Sequence, residues 1–211
     1  MLDRLRDLIP EPALRRLPWY LAYVSLLREK GVEYVSSTGI ARGINVDASQ
    51  IAKDLSFLDI KGKTRIGYEV ALLEHKLEEF LGFRKGHRAA IIGVGSLGRA
   101  LMQDSGLTNY GLEIVAGFDV DKEKIGTSTY GMPVYDIADL TAKAREMQLE
   151  IGIVTVPVEY AQEAADAIIA AGMKAIWNFT PYRIQTPEGI VITNTSIYAH
   201  LAVMYNRMLS H

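Results

Sequence analysis

The stretch AAIIGVGSLGRAL at residues 89–101 decides the fold of the second half of this chain. Its first residues, 89–92, are apolar and predict a buried strand, and the pattern Gly-x-Gly-x-x-Gly follows at once, with a helix from Arg99 onward. Gly93 permits a tight turn, Gly95 lets a pyrophosphate approach the backbone, and Gly98 lets the helix pack against the strand. This order is typical of a dinucleotide-binding α/β fold, in which the helix N-terminus attracts phosphate.

The next predicted strand, residues 112–118, ends at Asp119. An acid about 20 residues after the last glycine accepts hydrogen bonds from the adenosine ribose hydroxyls and repels a phosphate on the ribose. We therefore expect NAD(H) as the cofactor and not NADP(H). Because Asp121 follows in the sequence Phe-Asp-Val-Asp, a turn or capping role for Asp119 is the alternative.

Later apolar stretches predict strands at 150–156, 175–179 and 190–192, with a helix over 159–171. Ligands in such sheets bind beyond the carboxyl ends of the strands, so residues there, Thr180 included, are expected to line the nicotinamide side. Each of them alone is also explained as a strand terminator. Together with the glycine turn, the expected cofactor contacts are Gly93, Val94, Gly95, Ser96, Leu97, Gly98, Asp119, Thr155, Val156, Pro157 and Asn178.

The first half of the chain follows a different pattern. Its predicted elements are, in order, a helix from Pro18 to Gly31, a short helix over 36–41, a turn at 45–46, a helix over 48–58 capped by Asp47, a ribbon over 59–68 and a helix over 69–81. This order is typical of a winged helix-turn-helix, whose second helix enters the major groove of DNA and whose ribbon forms the wing.

Basic residues of the ribbon alternate along the sequence, so on a strand they project from one face and suit phosphate contact. The alternative is an exposed hairpin that carries lysines for solubility. With the second helix included, the expected DNA contacts are Ser49, Gln50, Lys53, Lys61, Lys63, Arg65 and Tyr68. Because few phosphate contacts give weak and salt-sensitive binding, useful affinity requires a dimer on double-stranded DNA with a palindromic operator.

Composition excludes several other classes of protein. The 211 residues are 49% hydrophobic with a net charge of −2, so any DNA contact must come from a local patch. There are no cysteines, and the 4 histidines lack metal-ligand spacing, so neither thiol chemistry nor a metal site is expected. No apolar run approaches the ~20 residues needed to span a bilayer, and the N-terminus lacks the apolar core of a signal peptide, which predicts no membrane partner and a cytoplasmic location.

We therefore predict an α/β chain of two domains. An N-terminal winged helix-turn-helix domain covers residues 1–83, and a Rossmann-type parallel-sheet domain covers residues 84–211, with two glycines around a charged turn at the boundary. The last helix, about 196–209, is rich in apolar residues, which on a small domain indicates a partner surface. A swapped C-terminal helix, exchanged between the protomers of a homodimer, would cover it.

Taken together, these segments resemble the Rex family of redox-sensing transcriptional repressors over nearly the whole chain. The resemblance implies a homodimer with exchanged C-terminal helices on a palindromic operator. It also implies sensing of the NADH/NAD⁺ state, in which the NADH-bound form leaves DNA and the NAD⁺-bound form stays. The segments that carry the resemblance are RRLPWYLAYVSLLREKG at 15–31, VSSTGIARGINVDASQIAKDLSFL at 35–58, GKTRIGYEV at 62–70, IIGVGSLGRAL at 91–101, GFDVDKEKIG at 117–126, TVPVEYAQEAAD at 155–166 and AGMKAIWNFTP at 171–181.

The chain departs from the family pattern at three positions. The family carries an arginine in the first helix, a tyrosine after the glycine turn and an aspartate at the start of the last helix. These three are thought to exchange hydrogen bonds with one another as the nicotinamide changes its oxidation state. Ala22, Asp104 and Ser196 stand at these places. Ala52 also precedes Lys53 where an arginine is usual. A regulator with a lost or changed redox response is therefore one alternative.

Two other functions compete with a regulator: a small NAD-dependent oxidoreductase, and a nucleotide-binding scaffold whose N-terminal helices contact protein. The second half has no attached substrate domain, no Ser-Tyr-x-x-x-Lys arrangement and no histidine placed beside the nicotinamide to move a proton, which disfavours an enzyme. The basic wing disfavours a scaffold. We therefore expect a DNA-binding repressor and not an enzyme.

Overall fold

The structure is a computed structural model that describes residues 9–58 and 60–210. The chain divides between Lys85 and Gly86 into two compact units, called here the N-terminal unit and the C-terminal unit. The boundary expected from the sequence follows Phe83.

The N-terminal unit is mainly helical. The side chain of Asp47 accepts hydrogen bonds from the backbone N–H groups of Ser49 and Gln50, which caps the second helix of the predicted helix-turn-helix as expected. Asn45 ends the preceding helix in the left-handed conformation (φ 54°) and so forms the turn. The elements are α1 (Glu11–Leu14), α2 (Leu17–Glu29), β1 (Tyr34–Val35), α3 (Ser37–Ile44), α4 (Ala48–Ser56), β2 (Tyr68–Glu69) and α5 (Val70–Leu81).

The predicted ribbon over 59–68 pairs with itself only at its tip, and its first residue, Asp59, lies outside the described residues. Strand β2 pairs antiparallel with β1, far away in sequence, and not with residues 60–63. A single bridge between Lys63 and Gly67 closes the tip of the wing, and Arg65 occupies that tip in the left-handed conformation (φ 64°). Because a residue in this conformation cannot continue a strand, Lys61, Lys63 and Arg65 do not project from one strand face.

One apolar core holds the N-terminal unit together. Helices α2, α4 and α5 each contribute completely buried side chains, and each such residue gives about 1.5–3 kcal/mol relative to an exposed one. The members with no exposed surface are Leu17, Tyr20, Val24, Ile40, Ile51, Leu55, Leu73 and Leu77.

The C-terminal unit alternates strands and helices, as predicted. Its elements are β3 (His87–Ile92), α6 (Ser96–Gln103), α7 (Gly106–Asn109), β4 (Leu112–Asp119), β5 (Ser128–Thr129), β6 (Met132–Asp136), α8 (Leu140–Glu146), β7 (Ile151–Val154), α9 (Ala161–Ala170), β8 (Ala175–Asn178), β9 (Val191–Asn194) and α10 (Ile197–Leu209). Short 3₁₀ turns at Ile137–Asp139 and Val158–Tyr160 precede α8 and α9.

The strands form one sheet in the order β5-β6-β4-β3-β7-β8-β9, and every pair except β5–β6 is parallel. The chain moves outward from β3 to β4 and β6, and then returns to the other side of β3 at β7. The carboxyl end of β3 therefore lies at the topological switch point, where open α/β sheets bind their ligands.

Several boundaries differ from those predicted. Helix α6 begins at Ser96 and not at Arg99, so the last part of the glycine motif forms its first turn. Strands β5 and β6 and helix α8 were not predicted. Strand β5 has two residues, and Pro133 in the short β6 disguises the alternation of a strand.

Helix α10 confirms the predicted C-terminal helix but buries none of its residues in the single chain. Apolar side chains along it are more than half exposed, among them Ile197, Tyr198, Val203, Tyr205 and Met208. Such a contiguous apolar surface marks an interaction site.

We predict that Gly67→Ala destabilises the N-terminal unit by about 2 kcal/mol or more. Gly67 has φ 103°, and an added Cβ would meet the carbonyl carbon of Val35 at 2.7 Å and the Cα of Ser36 at 2.9 Å. Thermal unfolding of the full chain measures the change. Gly86→Ala is the control, because its Cβ would meet nothing within 4 Å. Equal melting temperatures for the two variants would contradict the prediction.

Candidate functional site

The glycine turn after β3 brings helix and strand into close contact. A Cβ added at Gly98 would overlap the Gly93 carbonyl oxygen and lie 2.8 Å from the Cγ2 of Ile91. Gly93 itself has φ 96°, and its missing side chain leaves room for Val156, whose Cγ1 would lie 2.8 Å from an added Cβ. Gly98 thus allows the close packing of helix on strand, and Gly93 the tight turn, that the sequence predicts.

Gly95 has the opposite environment. A Cβ added there would meet nothing within 4 Å, so its backbone faces open space. Gly95 is also the N-cap of α6, and no side chain caps the helix. The N–H groups of the first turn of α6 therefore face this space with the partial positive charge of the helix N-terminus, an arrangement that fits a pyrophosphate.

Asp119, at the end of β4, borders the same turn. Its Oδ2 accepts a hydrogen bond of 2.7 Å from the N–H of Val94, and its Oδ1 accepts one of 2.9 Å from the N–H of Asp121. Lys124 completes the surroundings, with its Nζ 3.1 Å from Asp119 Oδ2 and 3.4 Å from Asp121 Oδ2. Lys124 was not among the residues expected from the sequence, although a lysine five residues after the acid in a charged turn is a visible signal.

These contacts fix the charge of Asp119. Burial alone raises the pKa of Asp119, but the backbone N–H groups and the Lys124 ammonium around it outweigh burial and lower the pKa below its usual value. An ionised carboxylate at this position can accept hydrogen bonds from ribose hydroxyls. It also repels a ribose phosphate, although the nearby Lys124 offsets part of that repulsion.

The residues expected on the nicotinamide side fall into two groups. Thr155 lies against the glycine turn, where its Oγ1 donates a hydrogen bond of 2.8 Å to the Gly93 carbonyl. Pro157 is exposed beyond it. Asn178 is completely buried, and its amide bonds the carbonyl of Tyr182, the Asn194 side chain and both the N–H and hydroxyl of Thr180.

Asn178 therefore uses all four of its hydrogen-bonding positions within the protein. Its side chain shapes the segment after β8, and Thr180 is buried with it. The remaining predicted residues of the glycine turn, Val94, Ser96 and Leu97, divide between a buried Val94 and two exposed positions at the start of α6.

In the N-terminal unit, α3, the Asn45 turn and α4 form the predicted helix-turn-helix. Ser49 and Lys53 of α4 are exposed, and Gln50 is half-buried. Ser49 hydrogen-bonds Asp47 through both its N–H and its hydroxyl, which fixes the first turn of α4. The N-terminal part of such a helix is the part that reaches base edges.

The wing presents three exposed cations, Lys61, Lys63 and Arg65. Lys63 is the most constrained, because its Nζ donates a hydrogen bond of 3.0 Å to the Tyr34 hydroxyl and lies 4.9 Å from the centre of the Tyr34 ring. Tyr68, at the base of the wing, is half-buried, and burial raises its pKa. Tyr34 is not predicted from the sequence, because only the β1–β2 pairing brings it near the wing.

The three positions that depart from the family pattern have separate local environments. Ala22 is exposed on α2 beside an apolar groove lined by Trp19, Tyr23, Leu26 and Ile44. Asp104 ends α6 and accepts a hydrogen bond of 2.7 Å from the N–H of Gly106. Ser196 caps α10 by accepting from the N–H of Ala199 at 3.1 Å.

Over residues 9–58 and 60–210, no cluster of three or more His, Cys, Asp or Glu side chains could hold a metal ion. Within the same ranges, none of the helices is both long and apolar enough to pass through a bilayer.

Comparison with known families divides the chain in the same way. Residues 8–56 match the family described as "Putative DNA-binding protein N-terminus", and residues 84–182 match the family described as "CoA binding domain". The first match covers the helix-turn-helix, and the second covers the glycine turn, Asp119 and the sheet through β8.

Solved structures share the fold over nearly the whole chain. The structure described as RSP in complex with beta-NAD⁺ and operator DNA has a TM-score of 0.91 at 30% identity and covers 95% of this chain and 93% of that one. The structure of RSP in complex with beta-NADH has a TM-score of 0.86 at 29% identity and covers 95% and 94%.

Curated relatives are closer in sequence. The redox-sensing transcriptional repressor Rex of Bacteroides fragilis is 58% identical over 200 residues, which are 95% of this chain and 91% of that protein. The protein of the same name from Porphyromonas gingivalis is 58% identical over 205 residues, 96% and 93% of the two chains. At this identity and coverage, the chain belongs to the Rex family of redox-sensing transcriptional repressors.

Proposed function

We propose that this chain is a transcriptional repressor that binds double-stranded DNA through its N-terminal unit and senses the NADH/NAD⁺ state through its C-terminal unit. The observation that carries the proposal is the site at the end of β3. An open glycine backbone, an uncapped helix N-terminus and a buried, ionised Asp119 lie together there, in a chain that also has a helix-turn-helix. The first three features fit the pyrophosphate and the ribose of NAD(H).

The binding steps follow from the residues. The N–H groups of the first turn of α6 donate to phosphate oxygens, and Asp119 accepts from the ribose hydroxyls. Thr155 and Val156 hold the glycine turn in place through the Gly93 carbonyl and the space above Gly93. The bound dinucleotide supplies the signal, because its nicotinamide changes charge and shape with oxidation.

Structures of related proteins support the binding of both NAD⁺ and NADH. Solved relatives are described as complexes with beta-NAD⁺ plus operator DNA and with beta-NADH. For this chain we propose the same order of events: the NAD⁺ form occupies the operator and the NADH form leaves it. Such a switch requires NADH to bind the DNA-free form more tightly than the DNA-bound form, because only differential affinity shifts an equilibrium.

We further propose that the functional unit is a homodimer in the cytoplasm on a palindromic operator. The exposed apolar face of α10 supports this assembly, because exchange of the helix between two copies would bury it. Dimerisation also doubles the number of cations that face DNA. A regulator fits these features better than an oxidoreductase, since the residues expected beside the nicotinamide include no histidine, carboxylate, lysine or tyrosine to move a proton.

We predict that Asp119→Ala weakens NADH binding about tenfold or more. The change removes an ionised acceptor of the ribose hydroxyls, and hydrogen bonds to charged groups contribute about 1.5–3 kcal/mol each. Titration of NADH fluorescence with the full chain measures the affinity. Asp139→Ala, at an exposed carboxylate next to α8, is the control and should bind as wild type does. Unchanged binding by Asp119→Ala would contradict the ribose assignment.

We predict that Lys63→Ala weakens DNA binding and reduces its salt dependence. Loss of one phosphate contact per protomer lowers the slope of log affinity against log salt by about 0.9, or about 1.8 for a dimer. The probe is a duplex selected by the wild-type chain from a randomised library of inverted repeats. Lys76→Ala, whose ammonium is paired with Glu79, is the matched control. An unchanged slope in Lys63→Ala would remove the wing from the DNA interface.

We predict that NADH lowers affinity for that selected duplex about tenfold or more relative to NAD⁺. Gel-shift titrations with each cofactor measure the difference, and Asp119→Ala should respond to neither. If the wild-type chain binds the duplex with equal affinity with both cofactors, the chain has lost the redox response, in keeping with its departures from the family pattern at Ala22, Asp104 and Ser196. DNA binding itself would stand in that case.

A further inference from the structure

Asp54, on the inner face of α4, is a completely buried carboxylate. The guanidinium of Arg16 donates to both of its oxygens, with Nε 2.7 Å from Oδ2 and Nη2 2.9 Å from Oδ1. The Tyr20 hydroxyl donates to Oδ2 at 2.6 Å. A buried charge of this kind is tolerated only where it is paired and hydrogen-bonded, and these contacts meet that requirement.

A fourth donor comes from the same helix. The Nε2 of Gln50 donates a hydrogen bond of 2.7 Å to Asp54 Oδ1. Burial alone raises the pKa of Asp54, but the hydrogen bonds from Arg16, Tyr20 and Gln50 outweigh burial and lower its pKa below the usual value.

The ionised Asp54 decides which way the Gln50 amide faces. A carboxylate without a proton can only accept, so the nitrogen and not the oxygen of the amide must face it. The amide keeps one acceptor, Oε1, and one further N–H. Within the part of the chain that the structure describes, Oε1 accepts no hydrogen bond.

Gln50 also stands at the reading end of α4. It is the third residue of the helix, one turn from the Asp47 cap, and it is half-buried with its neighbour Ser49 exposed. In a helix-turn-helix, side chains at this end meet the base edges in the major groove. An acceptor beside a donor matches adenine, which presents its N6 amino group beside N7.

We propose, on the basis of the DNA-binding function above, that Asp54 is a positioning residue that presents the Gln50 amide to one adenine in each half-site of the operator. The Gln50 Oε1 accepts from the N6 amino group, and the remaining N–H donates to N7. Arg16 and Tyr20 hold Asp54 in place and touch no base. A purely structural Asp54 would tie α4 to α2 and leave the base preference of Gln50 independent of the Asp54 contact.

The first test is selection of duplexes from the randomised inverted-repeat library by the full chain and its variants. Wild type should retain one invariant adenine per half-site, and Gln50→Met should lose the preference at that position alone. Tyr20→Phe removes a donor to Oδ2 but not the Gln50 contact on Oδ1, so it should lower the melting temperature and keep the preference. Asp54→Asn should lose the same preference as Gln50→Met.

The second test replaces that adenine by purine, which lacks the N6 amino group. Wild type should bind the modified duplex more weakly by about 5-fold or more, the lower end of the range for a bidentate pair, because purine keeps the N7 acceptor. Gln50→Met should bind both duplexes equally. If it discriminates between them as wild type does, Gln50 does not read the adenine and the proposal is overturned.

The hydrogen bond by which Asp54 positions Gln50 can also be measured in the wild-type chain, without a folded Asp54 variant. In the heteronuclear NMR spectrum of the wild-type chain, one side-chain amide proton of Gln50 should exchange with water more slowly than those of the exposed Gln103. Equal exchange would overturn the role of Asp54 even if Gln50 contacts DNA. A chain that retains no duplex at all would instead refute the DNA-binding function itself.

Discussion

The first turn of α6 and the carbonyl oxygen of Gly93 lie too close together for any side chain at Gly98. This approach places the N-terminus of α6 directly at the carboxyl end of β3, and β3 is the strand at which the sheet order reverses. Asp119 on β4 and Thr155 after β7 then border the same turn from the two sides. The cofactor site is thus a consequence of one backbone contact, and its polar groups come from the strands on either side.

The sequence predicts this site well because its signals are local. Glycine spacing, an acid at a strand end and a capping aspartate each act over a few residues. What the sequence did not predict depends on distant pairing: β1 with β2, which removes Tyr68 from the predicted ribbon, and the hydrogen bond that Tyr34 makes to Lys63. Strand β6 was not predicted for a local reason, since Pro133 obscures the alternating pattern of a short strand.

Local signals do not tell whether a polar side chain at a strand end already makes its hydrogen bonds within the protein. Asn178 lies at a strand end, as ligand-binding residues do, yet all its hydrogen-bonding positions are filled by the segment that follows β8. Asp104 and Ser196 likewise use their side chains on neighbouring backbone N–H groups. Ser196 thus caps α10, and Asp104 stabilises the turn between α6 and α7.

The N-terminal unit has exposed cations and one ion pair with a buried carboxylate, and the two kinds of charge suit different roles in binding DNA. Four exposed cations suit a long-range attraction to phosphates, which salt would screen: Lys53, Lys61, Lys63 and Arg65. Asp54 is buried and its partner Arg16 is only partly exposed, so salt screens their pairing less than it screens the exposed cations. Charges of the first kind determine how tightly a duplex is held, while a buried pair that orients a neutral amide can determine which duplex is held.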